Sequence, residues 1–467
     1  MNGIINPKII AAAAILGLMS VSGTSYSRVN SVTGGIGTSY DYSDRSYDSD
    51  RTDSDDYQRI SLRPMIDFVS TSEKDRYQFR AAPSIKYDLD NEETDWDSNI
   101  TVAADRYIYE RWQLKFSDSF IRSDYYDEYT TLTGQLQEPA PAEPGLADPT
   151  LSTDLGRKRY WKNTLNVSSN HFYQQDSLFR VGFNYIALRN DDSGIRGYDD
   201  YDRYVVNVYD AHRFNAIWKT TVDLNYVVGN YDELQDSLAI LPVANDNLAR
   251  DLDEYRVLLG VENDSIKHNP ISLNYSYIET NYDESLRDDI FVHQARVSWK
   301  REYSPHVYTR IGAGPSYSEA EGSDGSWGGN GIAELNYQVE HGSFNFKLDK
   351  RYEVENFSGN FERGTVDAWN SYFTAQYQLR QDLSASGRLS YLYEDRENQF
   401  SEVSTLPNSY HKDVYIAGLG LGYNFWRYYT ASINYDYINQ ESDRIDDSYD
   451  EHRILLTLSW QKELYRW

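Results

Sequence analysis

The sequence contains no cysteine among its 467 residues. This absence excludes disulfide frameworks, cysteine-ligated zinc, iron–sulfur clusters and thiol nucleophiles, and it removes the lipid-acceptor cysteine of a bacterial lipoprotein. Long apolar runs are missing after residue 27, where no stretch reaches the roughly 18 residues that a transmembrane helix needs. Basic residues are also few, because 45 lysines and arginines stand against 73 acids and leave a formal net charge of −28. A nucleic-acid-binding surface is therefore not predicted.

Aromatic residues, in contrast, are abundant. They make up 15 % of the chain, and 43 of them are tyrosines. Acidic disordered chains are poor in aromatic residues, so this composition predicts a folded protein.

The N-terminal residues have the pattern of an export signal. Lys8 precedes an apolar, alanine-rich run from Ile9 to Val21, and small residues follow as far as Ser27. This pattern is typical of a secretory signal peptide that is cleaved near Ser25 or Ser27, and its apolar core is too short to span a bilayer. We therefore predict that the protein is exported across the inner membrane.

Apolar and polar residues alternate with a period of two through the rest of the chain. Alternate positions from Tyr429 to Tyr437 are apolar, whereas Thr430, Ser432 and Asn434 between them are hydrophilic. About twenty such runs can be placed, each about ten to fourteen residues long, which is the length of a tilted membrane strand. Short turns such as Ser72–Lys74 alternate with connections of about ten to thirty residues, a pattern typical of outer-membrane barrels.

These patterns predict an all-β fold. We expect a transmembrane antiparallel up-and-down β-barrel of about 20 strands, within a range of roughly 18 to 22, with short periplasmic turns and long acidic extracellular loops. Residues 1–27 would be the signal peptide, and residues 28–467 would form a single barrel domain.

The charge is distributed unevenly between loops and strands. Seven segments that we predict to be external loops together carry −35, so the rest of the chain after residue 27 carries +6. These segments are 44–56, 88–98, 127–155, 191–202, 232–254, 279–289 and 439–451. A charge on the lipid face costs roughly 2–4 kcal/mol at the bilayer midplane, so basic side chains on the strands should point inward. We predict a wet lumen with a basic excess, lined by Arg59, Arg63, Arg80, Lys86, Arg256, Arg296, Arg310, Lys347 and Arg388.

One long connection has the spacing of a short helix. Leu234, Leu238 and Leu241 lie at helical intervals before Pro242. The segment 232–249 is therefore a candidate for a constriction that folds into the lumen, and a small helix packed on the barrel rim is the alternative.

Neither a metal site nor an enzyme is predicted. The acidic run Asp48, Asp50, Asp53, Asp55 and Asp56 suits hard cations but lacks the glycine and terminal glutamate of an EF-hand loop. Diffuse divalent cations shared with lipopolysaccharide phosphates fit this loop better than a specific calcium site, and a loop that is merely solvated fits it better still.

Two acid–histidine pairs, Asp210 with His212 and Glu451 with His452, have no recognisable nucleophile beside them. We therefore expect a protein without catalytic activity or cofactor.

Several aromatic residues fall near the ends of predicted strands. They are Trp218, Trp299, Trp426, Tyr428 and Trp460. Amphipathic rings suit the level of the lipid headgroups, so an aromatic girdle is the favoured interpretation. A ladder of aromatic side chains that binds sugars inside the lumen is the alternative.

The C-terminus carries a family resemblance. Leu464, Tyr465 and Trp467 resemble the C-terminal aromatic strand signal of Gram-negative outer-membrane proteins, which implies recognition by the barrel-assembly machinery. Residues 30–467 as a whole resemble the porin-like Gram-negative barrels that include β-barrel porins associated with exopolysaccharide loci. This resemblance rests on tyrosine-rich strands and acidic loops, so no functional residue is carried over.

Three functions are consistent with these features. The first is an outer-membrane pore for polar solutes or an anionic polysaccharide. The second is a non-conducting barrel that sleeves or scaffolds a periplasmic or surface partner, as in porin–cytochrome conduits or adhesion barrels. The third is a secreted soluble β-protein, a sandwich or a solenoid.

Overall fold

The computed structural model describes residues 27–47, 56–123, 159–190, 200–231, 251–283, 288–321, 325–357, 364–397, 409–443 and 448–467. Every regular element in these ranges is a β-strand. The strands are β1 (Val29–Tyr47), β2 (Tyr57–Thr71), β3 (Asp75–Ala81), β4 (Ser84–Asp88), β5 (Thr94–Tyr109), β6 (Trp112–Ser123), β7 (Tyr160–Gln174), β8 (Ser177–Asn190), β9 (Tyr201–Arg213), β10 (Trp218–Tyr231), β11 (Leu252–Asn263), β12 (Ile271–Tyr282), β13 (Ile290–Ser304), β14 (Val307–Ala320), β15 (Ser326–Val339), β16 (Gly342–Glu355), β17 (Gly364–Arg380), β18 (Leu383–Glu397), β19 (Ser409–Phe425), β20 (Tyr429–Ser442) and β21 (Tyr449–Arg466).

The strands form one closed antiparallel sheet. From β5 to β20 each strand pairs with the strands before and after it in the chain, and β1 pairs with both β2 and β21. The backbones of Asn30 and Trp467 also exchange two hydrogen bonds, of 2.8 and 3.0 Å, beside this closure. A sheet whose first and last strands pair has no edge, so the fold is an up-and-down barrel.

The strands β3 and β4 are two halves of one barrel strand. Both pair with β2 on one side and with β5 on the other. Pro83 lies between them and has no backbone N–H to donate, so the ladder is interrupted there. The wall therefore contains twenty strands, which confirms the predicted fold class and strand number.

The described chain contains no helix of the length and apolarity that a bilayer crossing requires. The predicted signal peptide falls almost entirely outside the described residues, which begin at Ser27.

The two ends of the barrel differ in their connections. Short turns, among them Ser72–Lys74, Gln381–Asp382 and the turn at Trp426, lie at the end that also holds both strand termini, Val29 and Arg466. We call this the turn end and the opposite one the loop end. That the turn end faces the periplasm stays a prediction.

Two predicted loops are largely strand. In the segment 439–451, β20 runs to Ser442 and β21 begins at Tyr449. The acidic segment 88–98 is largely strand, because Asp88 closes β4 and β5 begins at Thr94. Asp97 forms an ion pair of 2.6 Å with Lys86, while Trp96 between the acids is 51 % exposed on the outer face. The many acidic residues suggested a loop, although inward carboxylates alternate here with outward aromatic side chains as they do in a strand.

Candidate functional site in the barrel lumen

The inner and outer faces of the wall differ in chemistry. On β10, Asp223 and Asn225 are buried, whereas Leu224 between them is 41 % exposed. The side-chain amide of Asn207 on β9 donates to Asp223 Oδ1 at 2.6 Å and to Asn225 Oδ1 at 2.8 Å. Buried polar groups are thus satisfied by one another inside the barrel, and exposed apolar side chains cover the outside, which suits contact with lipid.

Aromatic side chains surround the outside at both ends. At the turn end, Trp299 and Trp460 pair with the exposed Ile311 and Ile36, so they lie on the outer face rather than in the lumen. At the loop end, outward tyrosine hydroxyls bond to histidines or carboxylates. Examples are Tyr275–His293 (2.8 Å), Tyr435–His452 (2.9 Å), Tyr226–Asp253 (2.8 Å) and Tyr391–Asp413 (2.7 Å). This arrangement favours the girdle over a sugar ladder for these tryptophans.

The nine basic residues predicted to line the lumen all lie at inward positions of their strands. Six of them form ion pairs with inward carboxylates. The pairs are Arg59–Asp88 (3.1 Å), Lys86–Asp97 (2.6 Å), Arg256–Glu254, Arg296–Asp349 (3.4 Å), Arg310–Glu334 (3.6 Å) and Arg388–Asp436 (3.2 Å). Most of the lumen charge is therefore compensated locally.

The other three, Arg63, Arg80 and Lys347, have no carboxylate partner among the described residues. Arg63 on β2 and Arg80 on β3 lie on neighbouring strands, and both side chains are exposed within the lumen. Lys347 on β16 has the Tyr372 ring 6.0 Å away. Asp67 lies across the ladder from Arg80, and Glu334 lies across from Lys347, so carboxylates face two of these three cations without forming an ion pair with them.

The loop end of β16 leaves the barrel wall. The ladder between β15 and β16 runs from Val339–Gly342 to Gly331–Lys350 and stops there, although β16 continues to pair with β17 as far as Glu355. We call residues Arg351–Phe357 the inner segment, because their contacts are made with inward-facing groups on distant strands.

Hydrogen bonds attach the inner segment to the opposite inner wall. Gln294 on β13 donates to the Tyr352 carbonyl at 2.8 Å, and Arg256 on β11 donates to the Val354 carbonyl at 3.2 Å. The hydroxyl of Tyr201 on β9 donates to the Phe357 carbonyl at 3.2 Å. Strands that are not neighbours in the sheet can share such bonds only through the lumen.

Asn356 bonds to three residues of the inner wall. Its side-chain amide donates to Glu254 Oε2 at 3.1 Å, and its side-chain oxygen accepts from the Tyr282 hydroxyl at 2.6 Å. Its carbonyl accepts from the Tyr231 hydroxyl. Glu254 is fully buried and also accepts from Thr280 at 3.2 Å, so this carboxylate is satisfied without water.

Apolar packing accompanies these bonds. Val354 and Phe357 join a buried cluster formed by inward side chains of β7 to β13, and the Phe357 ring lies 5.4 Å from that of Tyr201. Phe357 also packs on Gly229, where a Cβ would lie 2.8 Å from its ring. The other members are Tyr160, Ile186, Leu188, Val205, Val227, Leu252, Ile278, Tyr282, Ile290 and Val292. The loop end of the lumen is therefore filled on the β7–β13 side.

The opposite side of the inner segment is charged. Glu355 pairs with Arg396 on β18 at 2.9 Å, and Arg396 also pairs with Glu394 at 2.7 Å. Arg351 bonds to Asp349 and Glu353 on its own strand. The inner segment thus divides the loop end of the lumen into a filled apolar side and a side lined by ion pairs.

The predicted constriction at Leu234, Leu238 and Leu241 lies outside the described residues. The inner segment was not foreseen, because alternation in the sequence of β16 continues through Tyr352 and Val354 as it would in a strand that stays in the wall. Only their burial against β11–β13 reveals the departure.

The acid–histidine pairs occupy different places. Glu451 faces inward and accepts from Ser43 at 2.6 Å, while His452 faces outward and contacts Tyr435, so the two cannot act on one substrate. Asp210 and His212 both contact the Tyr173 hydroxyl on the outer face near the turn end. Within the described residues, no three histidine or acidic side chains are grouped as metal ligands, and most of the aspartates from Asp48 to Asp56 lie outside them.

No profile of a known protein family matches the sequence, and no curated protein sequence matches it. Solved structures with a similar chain course include Pseudomonas aeruginosa OccK2 (OpdF) in complex with glucuronate, with 12 % identity, 93 % of this chain and 98 % of that chain covered, and a TM-score of 0.45. The siderophore receptor PirA from Pseudomonas aeruginosa has 9 % identity, with 92 % of this chain and 80 % of that chain covered, and a TM-score of 0.48. Acinetobacter baumannii OccAB4 has 10 % identity, with 92 % of this chain and 98 % of that chain covered, and a TM-score of 0.42.

Proposed function

We propose that this protein is an outer-membrane pore for polar solutes, with a preference for anions. The observation that carries this proposal is the set of lumen cations without a carboxylate partner among the described residues, Arg63, Arg80 and Lys347. In a closed barrel of twenty strands the interior is wide enough for a channel, and cations that form no ion pair keep their N–H groups available to attract anions there. An anionic polysaccharide is one solute of this class.

Planar bilayers test the proposal. The purified barrel should conduct, and in a KCl gradient its reversal potential should indicate a preference for chloride. Cation selectivity would contradict the anion preference, and the absence of conductance would contradict the pore.

A second candidate function is a non-conducting barrel that holds a periplasmic or surface partner. It is favoured by the inner segment and the apolar cluster, which fill one side of the lumen at the loop end. Co-purification of a stoichiometric partner, together with bilayers that stay silent, would support the sleeve instead of the pore.

Two further partners belong to the outer-membrane proposal. The outward tyrosines and acids at the loop end suit lipopolysaccharide headgroups bridged by divalent cations. The strand that ends at Trp467 closes the barrel against β1, which suits recognition by the assembly machinery when the chain is inserted.

A further inference from the structure

A recess of about 190 Å³ opens from the lumen into the inner wall between β10 and β15. Gly260 is part of its lining. A Cβ at Gly260 would lie 2.3 Å from Thr221 Oγ1, and one at the inward Gly312 would lie 2.3 Å from Ser298 Oγ. The two glycines therefore make room for the hydroxyl groups of Thr221 and Ser298, which line the recess.

Three cations and one acid line the recess. Lys219, Arg296 and Arg310 stand against Glu262. The carboxylates that pair with the two arginines, Asp349 on β16 and Glu334 on β15, do not line it. The positive charge therefore faces the hollow, and the compensating negative charge lies beside it.

The arginines keep hydrogen-bonding capacity in this position. A guanidinium has five N–H donors, and the contacts to Asp349 and Glu334, at 3.4 and 3.6 Å, use few of them. The Nε of Arg296 is buried and has no acceptor among the described residues. A carboxylate in the recess would supply acceptors in the planar geometry that arginine prefers.

Neutral polar groups complete the lining. Thr221, Ser272, Ser298 and Asn274 present hydroxyl and amide groups next to the cations. Groups of this kind exchange hydrogen bonds with the hydroxyls of a solute, whereas a simple inorganic anion would use only the charge.

We propose that this recess is a binding subsite for a hydroxylated carboxylate, either a small sugar acid or one acidic unit of a longer saccharide. The proposal rests on the pore function, since it places the subsite on the solute's path, below the inner segment. The Arg296–Asp349 pair connects the recess to the inner segment, because Asp349 lies on β16 two residues before the inner segment begins.

Calorimetry of the full barrel in detergent tests the subsite without relying on conduction. Gluconate is the probe, glucose supplies the hydroxyls without the charge, and acetate supplies the charge without the hydroxyls. Gluconate should bind more tightly than either. Equal binding of gluconate and glucose, or no binding of gluconate, overturns the proposal even if the barrel conducts.

Variants locate the binding. Arg296→Gln and Arg310→Gln should each weaken gluconate binding about tenfold, which corresponds to about 1.4 kcal/mol. Arg80→Gln removes a lumen cation on a distant strand and should leave binding unchanged. An equal loss in all three variants would indicate only a diffuse effect of lumen charge and would overturn the subsite.

A heat-modifiable shift in detergent gels shows which variants are folded. If Arg296→Gln does not fold, Arg310→Gln tests the subsite instead, because Arg310 lies nearer the turn end and its ion pair is with Glu334 on β15. A polymeric probe distinguishes a longer saccharide from a small acid as the solute of this subsite. Polygalacturonate should block the bilayer current from one side if the saccharide threads the pore, and gluconate alone should bind if it does not.

Discussion

Asn356 and Glu254 are joined by a hydrogen bond of 3.1 Å, although 102 residues separate them in the chain. The bond connects the end of β16 to the inner face of β11, and these strands are not neighbours in the wall. Together with Phe357 it keeps the inner segment across the lumen at the loop end. The size of the pore should therefore depend on this attachment.

Replacement of Phe357 by alanine should loosen the inner segment. The variant loses aromatic packing against Tyr201 and Gly229, and core changes of this kind cost about 3–5 kcal/mol. We expect a lower temperature for the heat-modifiable shift and a larger single-channel conductance. Phe346→Ala is the matched control, because this ring lies on the outer face of the same strand. Unchanged conductance in Phe357→Ala would mean that the inner segment does not limit the pore.

The ion pair of Arg45 with Glu451 should stabilise the barrel near its closing strands. Both side chains are buried, Arg45 bonds to Glu451 Oε2 at 2.6 Å, and its guanidinium lies 4.2 Å from the centre of the Tyr449 ring. Arg45→Met removes the cation from a buried acid that still accepts a hydrogen bond from Ser43, and breaking a buried ion pair in this way typically costs about 3–5 kcal/mol.

We expect Arg45→Met to unfold at lower temperature or lower denaturant concentration, and the double variant Arg45→Met with Glu451→Leu to regain much of the loss. Arg466→Met, which breaks an exposed pair with Glu463, should have almost no effect. If both single variants lose the same stability, burial of the Arg45 pair has no special role.

Charge reversal at Arg63 and Arg80 should change the ion selectivity of the pore. The double variant Arg63→Glu, Arg80→Glu replaces two lumen cations with acids, and each reversed charge changes the energy of a passing ion by on the order of 1 kcal/mol. The reversal potential in a KCl gradient should move towards cation selectivity. Arg301→Glu alters an outward position on β13 and should leave it unchanged. An unaltered potential in the double variant would exclude these residues from the ion path.

Trp467 should matter for insertion more through its aromatic character than through its identity. Its backbone bonds to Asn30, and its ring lies 6.2 Å from Phe68. We expect Trp467→Phe to insert normally and Trp467→Ser to accumulate less in the outer membrane, as measured by fractionation and heat modifiability. Normal yields of both variants would contradict recognition of the C-terminal aromatic residue.

The period of two in the sequence was sufficient to predict the barrel and the direction of its basic side chains. The strand ladders reproduce that alternation, and all nine predicted basic residues take inward positions. The same reasoning failed at Asp95 and Asp97, where acidic residues were taken as a sign of loop although they alternate with the outward Trp96. A strand near the loop end can be as acidic as the loop that follows it.

The inner segment and the recess could not be predicted in this way. Alternation indicates which side chains share a face, but it does not indicate whether a strand remains in the wall, and the departure of β16 depends on bonds to β9–β13 that are distant in sequence. The recess depends on which glycines face inward beside which hydroxyls. Both features arise from register between strands, which a single sequence does not reveal.

The departure of β16 also affects the wall that it leaves. Residues 326–330 of β15 pair with β14 on one side, but their other side has no ladder partner in the part of the chain that the structure describes, since β16 pairs with β15 only from Gly331 onward. Trp327 is 76 % exposed there, and the Tyr352 hydroxyl lies close to Gly328. A closed sheet thus regains a short free edge at one place. Backbone amides along this edge should exchange with solvent deuterium before those of any fully paired strand, and opening of the barrel should begin there.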